Sequence, residues 1–284
     1  MFTILELINR STEYLEKKGI ESPRLNVELL LADVLKCKRL DLYLSFDKRL
    51  SEDETKTYRD FILRRGKFEP LQYITGKVQF YGLELNVNNK VLIPRQETET
   101  LIDAVLQTYP KESELKILDI GTGSGNIVIA LAKNYPSAAF WAVDISLEVI
   151  SLARDNAILN SVDEKINFIK TDILKPGSNF TEKFDLIISN PPYVSSEEYK
   201  TLQKEIVNYE PDYAITDFED GLKFYKSIIQ SYTKLLNPNG KLFFEMGKDQ
   251  SQEVKNIFEE NGFSNIQMWK DYLDIFRVIK GDSV

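Results

Sequence analysis

KILDIGTGSGNIVIALAKNY, Lys116–Tyr135, decides the fold. It opens as a short apolar run of strand length, closes as an apolar stretch of helical length, and joins the two through Gly121, Gly123 and Gly125. A strand passing through a glycine turn into a helix is the first half of a βαβ unit, whose helix crosses back to a parallel neighbour. Working outward, FWAVDI (140–145), INFIK (166–170), FDLIIS (184–189) and KLFFEM (241–246) are similar runs, separated by helical stretches such as LEVISLARDNAILN (147–160). The ending differs: NIQMWK (265–270) and DIFRVIK (274–280) read as an antiparallel hairpin. The expectation is an α/β domain with a mostly parallel sheet and an antiparallel edge hairpin.

Ahead of this domain, residues 1–75 carry a helical pattern. Ser22-Pro23 is placed as N-cap and first-turn residue before NVELLLADVL, and Ser51 with Glu54 forms a capping box for a helix that stops at Gly66. Residues 76–95 (QFYGLELNVNNKVLIPR within them) read as a hairpin linker, and 96–284 as the α/β domain.

Bulk properties exclude several function classes. At 43% hydrophobic and 28% charged residues, the chain is an ordinary globular protein, and its 284 residues suit a small and a larger domain. No apolar run approaches the ~20 residues that span a bilayer and no cleavable leader is evident, so a cytoplasmic location away from membranes is expected. One cysteine, Cys37, excludes an internal disulfide and a zinc cluster; no metal is expected. The complete absence of histidine removes Ser-His-Asp and Cys-His catalysis and the imidazole base. The net charge of −8 is uneven: residues 1–90 hold 16 Lys and Arg against 14 Asp and Glu, leaving 20 against 30 in the rest. An acidic catalytic domain argues against direct nucleic-acid binding and suits a basic protein partner.

Ligands of an open parallel sheet sit beyond the carboxyl ends of its strands. The first such end is Asp119-Ile120-Gly121-Thr122-Gly123-Ser124-Gly125-Asn126, where glycines admit close backbone approach and the helix start presents free N–H groups. The G-x-G-x-G spacing matches neither pyrophosphate motif, and no phosphate lysine follows. Asp144 ends the next strand, placed to accept hydrogen bonds from both ribose hydroxyls. With Asp119 it makes an acidic pocket that suits a cationic nucleoside, and S-adenosylmethionine is the expected cofactor. A ligand-free glycine turn is the plainer alternative.

The second loaded end is Asn190-Pro191-Pro192-Tyr193. Two prolines freeze the strand exit and hold Asn190 extended. The Asn190 side-chain oxygen and the Pro191 carbonyl can then grip the two donors of one NH2 group, with Tyr193 offering a face for stacking. Such a clamp orients an amide or amine nitrogen for methyl transfer without a strong base. A rigid turn with a surface tyrosine is the alternative. Glu97 and Glu99 either line the cleft or start a helix; Glu245 contacts a ligand or only backbone; Trp141 is core; and Arg64-Arg65-Gly66-Lys67 reads as a solvated helix end, with a docking patch as the alternative.

Along most of its length the chain resembles the peptide-chain release factor glutamine N5-methyltransferases, the PrmC or HemK family. The resemblance is carried by PRLNVELLLADVL, RRGKFEPLQYITG, FYGLELNVNNKVLIPRQETE, ILDIGTGSGNIVIALA, AVDIS, FDLIISNPPYV, YEPDYAI, DGLKFY and EMGKDQ. NPPY alone is shared with adenine-N6 and guanine-N2 methyltransferases of DNA and RNA, which remain the alternative; EPLQYITG and IPRQETE narrow the choice. The resemblance implies a Rossmann-like class I methyltransferase domain behind a helical substrate-docking domain. It implies methylation of the glutamine side-chain amide in the Gly-Gly-Gln loop of bacterial class 1 release factors. It also implies cofactor contacts from the Gly121–Gly125 loop, Asp144 with Ile145, Asp172-Ile173 on the adenine side, and Asn190, with Asn190–Tyr193 holding the glutamine. Two departures stand out: Gln96 replaces the family's usual proline in IPRQETE, and Asp274 replaces a usual glycine in DYLDIFR.

Overall fold

The computed structural model describes residues 2–174 and 180–283. They form two compact units, one of residues 1–76 with 203–209 and one of residues 77–202 with 210–284.

The first unit is built on helices α1 (Ile4–Lys17), α2 (Pro23–Val34), α3 (Arg39–Tyr43), α4 (Glu52–Arg65) and α5 (Leu71–Thr75). Capping boxes start α1 (Thr3 with Glu6) and α4 (Ser51 with Glu54), satisfying N–H groups that the first turn leaves unpaired. In α1 the buried positions Ile4, Leu7, Ile8, Ser11 and Leu15 fall on one face at helical spacing. They meet Val27, Leu30, Leu31, Tyr58 and Ile62 in the core, each fully buried aliphatic side chain contributing roughly 1.5–3 kcal/mol. Ser22 departs from expectation: its backbone is left-handed (φ 48) and its hydroxyl caps nothing, so the start of α2 rests on Pro23, whose missing N–H would find no partner there anyway. Arg65 corrects the reading of a solvated helix end. It is buried, and its guanidinium donates to Asn26 Oδ1 (2.7 Å), the Glu69 carbonyl (3.1 Å) and Glu205 Oε1 (2.6 Å). Cys37 is half-buried, and burial pushes its thiol pKa up.

The second unit opens with a hairpin, β1 (Lys77–Phe80) and β2 (Leu83–Asn86). Its two-residue turn, Tyr81-Gly82, has positive φ at both positions (49 and 74), the geometry that matches strand twist. Seven strands follow: β3 (Lys116–Ile120), β4 (Ala139–Asp144), β5 (Ile166–Lys170), β6 (Phe184–Ser189), β7 (Leu236–Glu245), β8 (Ser264–Lys270) and β9 (Phe276–Asp282). Their order is β5-β4-β3-β6-β7-β9-β8. Pairs from β5 to β7 are parallel, while β9 runs antiparallel between β7 and β8 as expected. The helices are α6 (Glu99–Thr108), α7 (Asn126–Asn134), α8 (Leu147–Leu159), α9 (Ser196–Tyr199), α10 (Lys204–Tyr209, in the first unit), α11 (Lys223–Tyr232) and α12 (Ser251–Glu260).

Adjacent strand residues point to opposite faces, and both faces are covered, so each strand feeds two cores. Ile117, Leu186 and Phe243 join the core under α6 and α7, whereas Leu118, Ile187 and Phe244 join the one under α11 and α12. That is why the strands read as continuous apolar runs. Asp274 sits in the β8–β9 turn with φ 62, a left-handed position where glycine is easiest and Asp is tolerated. Gln96 begins a 3-10 turn after an extended Arg95, the setting in which a proline would fit equally well. No helix among the described residues is long and apolar enough to cross a membrane.

Candidate active site

The strand order turns between β3 and β6, and the carboxyl ends of β3, β4, β5 and β6 open on one cavity of about 200 Å³. Each end contributes: Gly121–Ser124 from β3, Asp144 and Ile145 from β4, Asp172 and Ile173 from β5, and Asn190 with Pro192 from β6.

The glycine loop is fixed from outside the cavity. Gly121 and Thr122 donate their N–H groups to the Val143 carbonyl (both 2.9 Å), and Asn156, fully buried on α8, donates to the Ser124 carbonyl (2.9 Å). The same Asn156 amide takes the Asn86 N–H (2.7 Å) and donates to the Asn86 carbonyl (2.9 Å), so hairpin and loop share one anchor. Gly121 (φ 73) and Gly123 (φ 53) are left-handed, and a Cβ on either would meet no protein atom within 4 Å. Gly125 (φ 83) serves packing instead: a Cβ there would stand 2.9 Å from Ile129 Cδ1. Gly125 lies outside the cavity wall, and so does Asp119. Asp119 is wholly buried, accepts the Thr122 hydroxyl (2.7 Å), and keeps Oδ1 without a hydrogen-bond partner. Burial raises its pKa to about 7, with the Asp144 charge adding to the rise and Thr122 opposing it.

Asp144 accepts the Gly123 N–H (3.1 Å) on Oδ2 and the Ser146 N–H (3.3 Å) on Oδ1. Burial raises its pKa while these backbone donors lower it. Both oxygens keep a lone pair for further donors. Ile145, Val149, Ile173 and Leu174 supply apolar wall around it. Two cations at the cavity are engaged: Lys90 faces Glu148 (3.6 Å) and Arg95 donates to the buried Glu210 (2.5 Å).

Around Asn190 the strand end is tied down. The Ser189 hydroxyl donates to the Ile120 carbonyl (2.7 Å), and Asn190 Nδ2 donates to Thr98 Oγ1 (3.3 Å). Pro192 lines the cavity, Pro191 is buried and Tyr193 is half-buried. The Tyr193 hydroxyl donates to Glu245 Oε1 (3.1 Å), and burial together with that carboxylate holds the phenol pKa well above its ordinary value. Beyond it, the Tyr193 carbonyl accepts from Gln250 Nε2 (2.8 Å), and Val194 donates to the Ile215 carbonyl (3.0 Å). Gly221 has room for no Cβ, which would stand 2.4 Å from the Tyr193 carbonyl oxygen. Ser195 caps α9 by accepting the Glu198 N–H (3.2 Å). Glu99 accepts the Tyr81 N–H (2.8 Å), tying α6 to the hairpin turn.

Sequence reasoning missed part of the wall. Thr98, Tyr213, Ala214 and Phe224 line the cavity, yet no single one carries a local signal. IPRQETE, YEPDYAI and DGLKFY, the stretches that hold them, are the trace they leave in the sequence.

A sheet in this order, with a glycine loop after β3, an acidic end to β4 and Asn-Pro-Pro-Tyr after β6, defines an S-adenosylmethionine-dependent methyltransferase. Residues 6–76 match the family described as PrmC N-terminal domain and residues 111–278 one described as methyltransferase domain. The release factor glutamine methyltransferase of Fusobacterium nucleatum subsp. nucleatum is 42% identical over 97% of this chain and 77% of its own length. That of Geobacter sulfurreducens is 38% identical over 99% of this chain and 97% of its own. A 16S rRNA N2 G1207 methyltransferase of T. thermophilus, solved with AdoMet and guanosine, shares the fold at 17% identity (TM-score 0.53), over 73% of this chain and 50% of that one. The chain belongs to the release factor glutamine methyltransferase family.

The residues present fit that cofactor. Open space beyond Gly121 and Gly123 admits a ligand against bare backbone, Asp144 offers acceptors for ribose hydroxyls, and apolar side chains flank it.

Proposed function

We propose that the chain methylates the side-chain amide nitrogen of the glutamine in the Gly-Gly-Gln loop of class 1 peptide chain release factors, in the cytoplasm. When bound, S-adenosylmethionine supplies an electrophilic methyl carbon on a sulfonium. Gly121–Ser124, Asp144, Ile145, Asp172 and Ile173 hold it by backbone approach, acceptors and apolar wall.

What the protein must overcome is a poor nucleophile, since the amide lone pair is delocalised into its carbonyl. Asn190 carries the argument. Its Nδ2 is committed to Thr98 (3.3 Å), which leaves Oδ1, on the opposite branch, to accept one N–H of the substrate amide. The Pro191 carbonyl accepts the other. With both N–H bonds fixed, the lone pair is aimed at one point, and orientation of this kind supplies up to ~7–11 kcal/mol of barrier lowering. The nitrogen becomes strongly acidic as the new C–N bond forms, so its proton leaves without a histidine, and the sequence holds none. The excess of acidic over basic residues beyond residue 90 supports a protein substrate over a polynucleotide.

The test is transfer of label from tritiated S-adenosylmethionine to purified release factor, to its Gln→Asn variant, and to tRNA, rRNA and DNA. Label should enter the unsubstituted factor alone. Equal labelling of the Gln→Asn variant, or preference for any nucleic acid, would overturn the assignment.

A further inference from the structure

We propose that Asn156 is a positioning residue for the cofactor: its buried amide holds the glycine loop and the chain leaving the β1–β2 hairpin at a fixed spacing, and so sets two stretches of the wall that bounds S-adenosylmethionine. The inference rests on the cofactor reading of this cavity and deepens it, because Asn156 itself is not part of the cavity wall.

Asn156 lies toward the end of α8, the helix that begins just after Asp144. Val149, Ala153 and Asn156 recur at i, i+4 and i+7 and therefore share one helix face, and all three are buried. Val149 lines the cavity, Ala153 backs the glycine loop, and Asn156 bonds to it. A Cβ on Gly125 would stand 3.3 Å from Ala153 Cβ, so two small residues let the helix approach closely enough for that bond. The amide is then almost fully used. One Nδ2 hydrogen goes to the Ser124 carbonyl and one to the Asn86 carbonyl (2.9 Å each), while Oδ1 accepts the Asn86 N–H (2.7 Å). Among the described residues no other donor reaches the Ser124 carbonyl. Asparagine is suited to this place by its donors as much as by its shape. An aspartate would turn oxygens toward two carbonyls, and an apolar residue would leave three buried backbone groups unpaired.

The other partner, Asn86, ends β2, and the chain leaving it becomes cavity wall through Lys90, Val91, Leu92, Pro94 and Arg95. The far end of this stretch is pinned as well. Glu210 accepts the Ile93 N–H (3.2 Å) on Oε2 and Arg95 (2.5 Å) on Oε1, and the Tyr213 hydroxyl donates to the Lys90 carbonyl (2.8 Å). Residues 86–95 are thus held at both ends, and Asn156 is the fixture that relates them to the glycine loop. Asn160, one turn further along α8, donates to the Glu84 carbonyl (3.0 Å) on the same strand but makes no bond to the loop. Two asparagines therefore dock β2 on α8, and the buried one also carries Ser124.

The experiment uses the full chain with release factor, comparing Asn156→Asp, Asn156→Ala and Asn160→Ala. Both Asn156 variants should raise KM for S-adenosylmethionine and the calorimetric Kd of S-adenosylhomocysteine by about 10-fold or more. Their kcat at saturating cofactor and KM for release factor should stay close to those of the unsubstituted enzyme, the pattern of lost uniform binding. Asn160→Ala should change none of these. A lower melting temperature with unaltered cofactor KM marks a merely structural asparagine and overturns the proposal, as does an Asn160→Ala enzyme that binds cofactor as weakly as Asn156→Asp. Should the Asn156 variants not fold, amide hydrogen exchange of the unsubstituted chain decides. Saturating S-adenosylhomocysteine should slow exchange of the Asn86 N–H, which lies outside the cavity wall, by ~10-fold beyond any slowing in β8 at the far edge of the sheet; exchange at Asn86 indifferent to the ligand overturns the coupling. Failure of S-adenosylhomocysteine to bind the unsubstituted chain refutes the cofactor reading and this inference with it, whereas equal binding by the unsubstituted chain and Asn156→Asp refutes this inference alone.

Discussion

Replacing Asn190 by alanine removes the Oδ1 acceptor and, with it, the donor that fills Thr98 Oγ1 at 3.3 Å. The substrate amide carries two N–H groups, and one is then left without its partner inside a cavity of about 200 Å³. An unmade hydrogen bond in such a place costs about 1–3 kcal/mol. Misalignment of the lone pair matters as well, and the loss of a single preorganised transition-state contact typically costs ~2.7–4 kcal/mol. These describe one contact and overlap, so the expected loss is about 3 kcal/mol, on the order of 10² in kcat. Cofactor binding should survive, because the glycine loop hangs on the Val143 carbonyl and Asn156, not on Asn190. Single-turnover methylation of release factor at saturating cofactor gives the rate, and calorimetry with S-adenosylhomocysteine gives the affinity. A rate within threefold of the unsubstituted enzyme, or a parallel collapse of cofactor affinity, would refute the division of labour between Asn190 and the loop.

Two further outcomes are expected. Gly123→Val combines a left-handed backbone (φ 53), costing about 1–2 kcal/mol for an L residue, with a side chain projecting into the open space proposed for the cofactor. Affinity for S-adenosylhomocysteine should fall by at least ~10-fold, and calorimetry showing unchanged binding would place the cofactor elsewhere. Stability should also respond to pH. Asp119 and Glu245, both raised to about 7, hold protons in the folded chain that the unfolded chain releases from about pH 4 upward. Their contribution is fully present below the ordinary carboxylate pKa and is lost as pH rises toward 7, each adding a slope of at most ~1.4 kcal/mol per pH unit. Asp271 and Asp282, held below their ordinary pKa, act in the opposite sense at more acidic pH and leave this window untouched. Urea midpoints of the ligand-free protein should fall between pH 5 and 7.5, less steeply in Glu245→Gln; a rising curve contradicts the burial argument.

The sheet was legible because its strands are covered on both faces. Ile117 and Leu118 enter different cores, so KILDI is apolar throughout, and the same holds for FDLIIS. Helices were legible where caps or a solvent face marked them, as with Ser51 and Glu54. Legibility failed where neither existed. SEEYKTLQKEIVNY yields two helices of 4 and 6 residues with no buried side chain in either, and nothing in its periodicity announces that 203–209 belongs with the helical unit. Arg65 misled for a related reason: three acceptors far apart in sequence, at Asn26, Glu69 and Glu205, turn a charged helix end inward.

For the site, the two motifs that mark strand ends were visible since glycine and proline restrict the backbone wherever they stand. What orients those motifs was not visible, and the reason is sequence distance. Asn156 ties Asn86 to Ser124 across separations of 70 and 32 residues, Thr98 meets Asn190 across 92, and Glu245 meets Tyr193 across 52. Each is one polar residue in an apolar or helical context, indistinguishable by type from a surface residue until the sheet folds. Tyr193 is an example: its ring suggests a stacking face, and only the fold shows that its hydroxyl donates to Glu245. A motif therefore tells which atoms meet the ligand only after the second layer behind it is known. In this protein that layer is Asn156 behind the glycine loop, Thr98 behind Asn190 and Glu245 behind the Tyr193 hydroxyl.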